Sequence, residues 1–319
     1  MTQVSSNANA ASLLSFSESI AATVESIAAS TAAVRGRGRH ALGCGVVWRP
    51  GILVTAAHVF GRAPAAASAM TARQSADLAL VGADAPTDVA VFRLPDEDLP
   101  AVELSASPVR PGGLAIVVGR TQEAEVTASV TVIHRVSGTW QTWLGGRIDQ
   151  LIRLDANLPE GVSGAPVADA TGRVLGFATS ALSRTHAVVI PAQTVSRVVD
   201  ELLANGHVSR AFLGIGVQPV PIANAPAGAP SGAKAGQPEG SHGLLVTSML
   251  PGGPAAQAGL LIGDILVDVG AQQAGSLAQL REALAGNIGR SVPVSVIRGG
   301  APARVDVTVG QWPSEARAC

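Results

Sequence analysis

Three residue types that together perform acyl transfer stand in this chain in the order His58, Asp88, Ser163, at steps of 30 and 75 residues. Ser163 lies among small residues in the stretch 157–166, Asn-Leu-Pro-Glu-Gly-Val-Ser-Gly-Ala-Pro, where a tight turn between two apolar runs would present its hydroxyl. A serine hydroxyl is a weak nucleophile until a base takes its proton, and the intermediate it forms needs donors for an oxyanion. His58, in Val-Thr-Ala-Ala-His-Val after a strand-like run, is the candidate base, and Asp88, before the run Val-Ala-Val-Phe, is the candidate carboxylate. Such a carboxylate holds the imidazole in one tautomer and stabilises the imidazolium while the other ring nitrogen receives the serine proton. Taken singly, each residue is more often a structural one, a histidine at a strand end or an aspartate in a turn.

The elements that must position these residues are short strands. Runs of strand type fall at 31–36, 42–48, 51–55, 76–81, 89–94 and 114–118, and a second set at 125–135, 151–154, 165–168, 173–179 and 187–190. Turn residues such as Arg49-Pro50-Gly51 and Pro111-Gly112-Gly113 divide them, a spacing that predicts an all-β barrel or sandwich. An amphipathic helix precedes them over 11–29, with Leu13, Leu14, Phe16, Ile20, Val24 and Ile27 at steps of mostly three and four. A second helix is predicted from Pro191 to about Ala204, ended by Asn205-Gly206. From Pro219 to Gly243 the chain is rich in Pro, Ala and Gly and reads as a loop or linker. Strands at 244–248, 265–269, 292–298 and 305–309 and helices at 254–258 and 276–284 then form a compact α/β pattern.

Composition agrees with two domains. At 319 residues, 47% of them hydrophobic, the chain exceeds one ordinary core, while 36 Gly, 20 Pro and no Tyr suit a turn-rich β architecture of small side chains. A net charge of −1 predicts no nucleic-acid partner, and the local basic run Arg35-Gly36-Arg37-Gly38-Arg39 reads as the solvated side of a strand. Cys44 and Cys319 have neither a disulfide framework nor metal-ligand spacing, and His40, His134, His186, His207 and His242 show no metal pattern, so no metal and no cofactor is expected. No apolar run approaches the roughly 20 residues of a spanning helix, and the first residues lack the form of a signal peptide. The sequence therefore predicts no transmembrane segment and leaves the compartment open, cytoplasmic only by default.

The contexts of the three residues resemble those of the HtrA/Deg family, chymotrypsin-fold serine proteases with a C-terminal PDZ domain. Thr55-Ala56-Ala57-His58-Val59 resembles the family's histidine motif, Asp88 with Val-Ala-Val-Phe-Arg-Leu its aspartate motif, and Leu154-Asp155-Ala156 through Gly161-Val162-Ser163-Gly164-Ala165-Pro166 its serine motif. The resemblance covers roughly residues 12 to 311. It implies a mainly β protein, a double β-barrel followed by a smaller α/β PDZ domain, with the triad between the barrels. By the same resemblance the N–H groups of Gly161 and Ser163 form the oxyanion hole, and Leu158 lines the specificity pocket, favouring small or medium aliphatic residues before the cleaved bond. Ala211-Phe212-Leu213-Gly214-Ile215 resembles the PDZ carboxylate-binding loop, with Phe212, Leu213, Gly214 and Ile215 as peptide-binding residues for free apolar C-termini. The helix carrying Phe16 resembles the family's trimer-forming segment and implies a homotrimer.

These readings divide the chain into an oligomerisation segment 1–30, a protease domain 31–207, a PDZ domain 208–311 with a flexible insert at 218–243, and a tail 312–319. The function implied is a serine endopeptidase of unfolded or damaged proteins, whose rate rises as His58 loses its proton. Three departures keep a rival open, a catalytically weak protease-fold protein working as a peptide-binding module. Val162 stands where the family has Asn, Ala165 where it has Gly, and Gly119-Arg120-Thr121-Gln122 replaces a glycine-rich segment. A β-branched Val162 forced to positive φ would cost about 1 to 2 kcal/mol and unsettle the oxyanion loop.

Overall fold

A computed structural model of the protein describes residues 2–36, 42–61, 67–72, 74–95, 99–183, 185–222 and 242–312, with side chains of the first helix from Ala11. Arg37, Arg39, His40, Cys319, most of the 218–243 insert and all of the 312–319 tail but its first residue lie outside them. The chain divides into two compact units, residues 1–208 and 209–319.

In the first unit, helix α1 (Thr2–Ala28) leads into six strands, β1 (Thr31–Arg35), β2 (Leu42–Arg49), β3 (Ile52–Ala56), β4 (Ala67–Met70), β5 (Ser75–Asp84) and β6 (Val89–Arg93). They close as a barrel in the order β1-β2-β3-β6-β5-β4. Strands β3 and β6 are buried along most of their length, which is why they read as continuous apolar runs rather than as alternating ones. A second barrel follows, built from β7 (Leu114–Arg120), β8 (Val126–Ser137), a small hairpin β9 (Trp140–Gln141) and β10 (Arg147–Ile148) standing apart, then β11 (Leu151–Leu154), β12 (Pro166–Ala168), β13 (Val174–Thr179) and β14 (Val188–Pro191). It closes in the order β11-β14-β13-β12-β7-β8. Helix α2 (Ala192–Asn205) ends at Gly206, whose left-handed φ of 72° accommodates the turn, and buries Val195, Val198, Val199 and Leu202 on the first barrel's core.

The amphipathic pattern of α1 divides along its length. Ile27 and Ala28 are buried against the first barrel, whereas Leu13, Leu14 and Phe16 are 69%, 65% and 51% exposed. The helix starts earlier than its apolar periodicity, since residues 2–10 are mostly polar and carry no such signal.

The second unit holds β15 (Ala211–Phe212), β16 (Ile215–Pro221), β17 (His242–Met249), α3 (Pro254–Gln257), β18 (Ile265–Val269), β19 (Gln272–Gln273), α4 (Leu277–Leu284), β20 (Ser291–Arg298), β21 (Ala301–Thr308) and β22 (Gly310–Gln311). Its main sheet runs β16-β17-β18-β20-β21, with β19 on β18 and β15 paired to β22. The start of the expected linker is a correction. Pro219 and Pro221 lie in β16, paired with Leu244 and His242 of β17. That strand is at the sheet edge, where a residue lacking an N–H is tolerated because one side has no ladder to feed.

Candidate active site

The pairing of β3 with β6 brings the first two candidate residues together. Ala56 stands opposite Val89, and the chain leaves β3 into a single 3-10 turn, Ala57–Phe60, carrying His58. Asp88 precedes β6 at the end of a turn pinned by Asp84, whose carboxylate accepts the Thr87 N–H at 3.2 Å and the Thr87 hydroxyl at 2.6 Å. Asp88 is one of two described non-glycine residues with positive φ, at 60°. That conformation is costly for most side chains.

His58 Nδ1 lies 2.9 Å from Asp88 Oδ2 and 3.0 Å from Oδ1, and the His58 backbone N–H donates to Oδ1 at 2.8 Å. An ionised carboxylate only accepts, so the imidazole proton sits on Nδ1 and Nε2 is left as the acceptor. Asp88 is 3% exposed, and the Thr179 hydroxyl, wholly buried, donates to its Oδ2 at 2.5 Å. Thr179 belongs to the second barrel, so the carboxylate is held from both barrels at once.

Ser163 is 7% exposed and follows the turn that carries Gly161. The positive φ values of this loop fall on Gly161, at 82°, and Gly164, at 93°. Val162 is not among the positive-φ residues, and its side chain packs against the second barrel's core, so the strain expected of it does not arise. Ala165 is buried, donates its N–H to Val162 O at 3.0 Å and accepts from Ala178 N–H at 2.8 Å in an ordinary backbone conformation. Gly164 admits no side chain, because a Cβ there would lie 2.0 Å from Cys44 O. Among the described residues, the N–H groups of Gly161 and Ser163 have no hydrogen-bond partner, which leaves both available to an oxyanion.

Cys44 supports this loop, a part the sequence reading passed over. Its N–H donates to Ser163 O at 2.8 Å and its thiol to Gly161 O at 3.3 Å, while Arg120 N–H donates to Sγ at 3.3 Å. Burial pushes the thiol up to about 11, so it stays protonated and remains a donor near neutrality. Arg120, in the segment that departs from the family pattern, gives its guanidinium to Ala28 O, Thr31 O and Ala124 O, joining the end of α1 to the second barrel.

The hydrogen bonds of Ser163 Oγ run to Ser180, with Oγ at 3.1 Å and the Ser180 N–H at 3.3 Å. Ser180 follows Thr179, so a continuous path leads from His58 through Asp88, Thr179 and Ser180 to Ser163. Neither Thr179 nor Ser180 carries a sequence signal, since a threonine closing an apolar strand is unremarkable by type. Beside Ser163 opens a cavity of about 830 Å³, lined by Trp143, Asn157, Leu158, Ser180, His186 and their neighbours. No carboxylate is among its described lining residues.

In the second unit, Leu213 is buried and Gly214 turns at φ 76°. Their carbonyls accept from Ala255 N–H at 2.9 Å and Leu250 N–H at 2.7 Å, and Phe212 packs edge-on against Trp312 with ring centres 4.7 Å apart. The carbonyls are thus committed to the fold, while the N–H groups of Leu213 and Gly214 have no partner among the described residues. Ile215 opens β16, the edge strand.

Residues 43–177 match the family described as "Trypsin-like peptidase domain" and residues 245–298 the "PDZ domain" family. The chain is 31% identical over 290 residues to the "Probable periplasmic serine endoprotease DegP-like" of Chlamydia trachomatis serovar D, covering 89% of this chain and 55% of that protein. It is 26% identical over 287 residues to the "Serine endoprotease DegS" of Escherichia coli K12, covering 86% of this chain and 78% of that one. Among the first of these curated relatives the chain spans about half of their length. A solved structure titled "HtrA-type protease AlgW with tripeptide" matches with a TM-score of 0.70 at 26% identity, covering 92% of this chain and 97% of that one. With both domains matched in order and the double barrel in place, the chain carries a trypsin-like peptidase domain followed by a PDZ domain and is similar to the HtrA/Deg serine endoproteases.

Proposed function

We propose that the protein is a serine endopeptidase that cleaves unfolded or damaged polypeptides in protein quality control. The observation that carries this reading is the path from His58 through Asp88 and Thr179 to Ser180 and Ser163, which sets a base, its orienting carboxylate and a hydroxyl along one seam between two barrels. In this reading Ser163 attacks the scissile carbonyl, His58 Nε2 takes the serine proton and later gives it to the leaving amine, and Asp88 holds the imidazolium. Gly161 and Ser163 N–H receive the oxyanion. Leu158 and the carboxylate-free cavity favour a small or medium aliphatic side chain before the cleaved bond. Casein degradation and fluorophosphonate labelling test the assignment: both occur in wild type and vanish in Ser163→Ala, and absence of labelling in folded wild type would favour the weakly catalytic alternative.

The second unit, in the same proposal, captures peptides with free apolar C-termini. Phe212, Leu213, Gly214 and Ile215 supply the loop, two of its N–H groups take the terminal carboxylate, and the peptide adds to the β16 edge. Titration with free-carboxyl and amidated forms of one peptide should give tight and weak binding respectively, and equal affinities would refute it. The segment 1–30 acts in oligomerisation, 31–207 in cleavage and 208–311 in recognition. Leu13, Leu14 and Phe16, exposed on α1, are proposed to pack in a homotrimer, and a monomeric mass by light scattering would overturn that. The C. trachomatis relative is named periplasmic, and the cytoplasmic default finds no support among the relatives. No described helix is long and apolar enough to cross a membrane. We place the protein's work in the periplasm, which fractionation of the native cell would check.

A further inference from the structure

Ser163 Oγ is held by one residue, and it is not the base. The Ser180 N–H donates to it at 3.3 Å and the two hydroxyl oxygens are 3.1 Å apart. Among the described residues no hydrogen bond joins Ser163 to His58, whose Nδ1 is taken by Asp88 and whose Nε2 has no partner. Attack on a carbonyl requires the serine proton to lie on a hydrogen bond to the base and a lone pair to face the substrate. Here a backbone donor occupies a lone pair, and the neighbouring hydroxyl competes with His58 for the proton or for a second lone pair.

The backbone beside Ser180 is anchored. Thr179, next to it, is fixed by its bond to Asp88, and the Ala181 N–H returns to Thr179 Oγ1 at 3.1 Å. Ser180 is also exposed and lines the cavity together with Leu158 and His186, so a side chain entering that cavity meets the hydroxyl that holds the nucleophile.

From this geometry we infer that Ser180 is a positioning residue that keeps Ser163 turned away from His58 until a substrate side chain fills the cavity. Substrate then displaces the Ser180 hydroxyl, and rotation of Ser163 about one side-chain bond leaves the Ser180 N–H and brings Oγ to Nε2. No covalent change occurs in this step. The device makes the empty enzyme a slow acylator and couples nucleophile alignment to occupancy of the pocket. It rests on the endopeptidase reading above.

The test compares wild type with Ser180→Ala, using a small fluorophosphonate that leaves the cavity empty and a chromogenic peptide with an aliphatic residue that fills it. Ser180→Ala removes the hydroxyl contact and keeps the backbone one; one neutral hydrogen bond corresponds to a change of about two- to tenfold, so labelling of Ser180→Ala should be faster than wild type by that factor. Its kcat on the peptide should rise by a smaller factor, because bound substrate has already displaced the contact. Ser180→Thr, which keeps a hydroxyl, should label at the wild-type rate, a rescue that a packing role would not require. Should Ser180→Ala lose its native melting transition, Ser180→Cys, nearly isosteric with a weaker donor, takes its place with the same expectation. Labelling as slow as or slower than wild type in the folded variant overturns the inference. Absence of labelling in wild type and variant alike, with both folded, would instead remove the endopeptidase reading and the inference with it.

Discussion

Cys44 grips the serine loop at two points, its thiol donating to Gly161 O at 3.3 Å and its N–H to Ser163 O at 2.8 Å. One residue of the other barrel therefore holds the 161–162 and 163–164 peptides, which bracket the 162–163 peptide that carries the Ser163 N–H. Since the two bracketing peptides bear on where that N–H points, the thiol has a measurable role without touching substrate.

Replacing Cys44 by Ala leaves Gly161 O without its donor, while Ser restores one. A hydrogen bond of this kind is worth about 0.5 to 1.5 kcal/mol, so kcat in Cys44→Ala should fall by about two- to tenfold with KM nearly unchanged, and Cys44→Ser should stay close to wild type. Steady-state kinetics on one peptide separate the two parameters.

The same thiol predicts an alkaline signature. Burial raises its folded-state value from 9.0 to about 11, so the stability it contributes is complete below pH 9 and is lost as pH climbs through 11. At pH 8 about one thiol in a thousand is ionised, and reagents that need the thiolate should modify native protein slowly. In a Cys319→Ser background, Ellman's reagent should react on unfolding, and rapid reaction of native protein would contradict the burial.

Thr179→Val keeps the volume and removes the donor to Asp88 Oδ2. Hydrogen bonds to charged groups are worth about 1.5 to 3 kcal/mol, so kcat/KM should drop roughly ten- to a hundredfold, with Thr179→Ser close to wild type. A valine variant with full activity would mean that His58 and Asp88 need no support from the second barrel.

Gly164→Ala should be the most damaging single change in the loop. Its backbone sits at φ 93° and the added Cβ would meet Cys44 O at 2.0 Å, so several kcal/mol of stability, on the order of 3 to 5, should be lost. Chemical denaturation would show the shift, or the variant would be recovered unfolded.

The second unit carries its own pH dependence. Asp264 is buried, accepts from Arg298 at 2.7 and 2.8 Å and from Leu261 N–H at 2.9 Å, and these contacts, the guanidinium first, hold its carboxyl below the ordinary carboxylate range. A depressed carboxylate contributes stability at neutral pH that disappears as acid protonates it, so residues 260–267 should exchange their amide hydrogens faster at pH 3 than the charge-independent trend predicts. Asp264→Asn should remove that difference and exchange faster at pH 7.

Much of the fold can be read in the chain because strands such as β3, β6 and β13 are long apolar runs between glycine and proline turns. What escaped are elements that exist only through their partners. The two-residue strands β15, β19 and β22 have no periodicity to find, and β16 was hidden because its prolines argue against a strand anywhere but at an edge. The site divides in the same way. His58, Asp88 and Ser163 stand in recognisable local contexts, whereas Cys44, Thr179 and Ser180 acquire meaning only when one barrel closes against the other.

The left-handed backbone of Asp88 reaches beyond geometry. Of the two carboxylic amino acids, the shorter one enters that region far more readily, since its side chain can bond locally. Position 88 is thus selected twice, once for a negative charge and once for a chain direction, and the alphabet able to fold there shrinks toward Asp, Asn and Gly. A glutamate, the nearest replacement by charge, is disfavoured by the backbone, and an asparagine, the nearest by shape, lacks the charge.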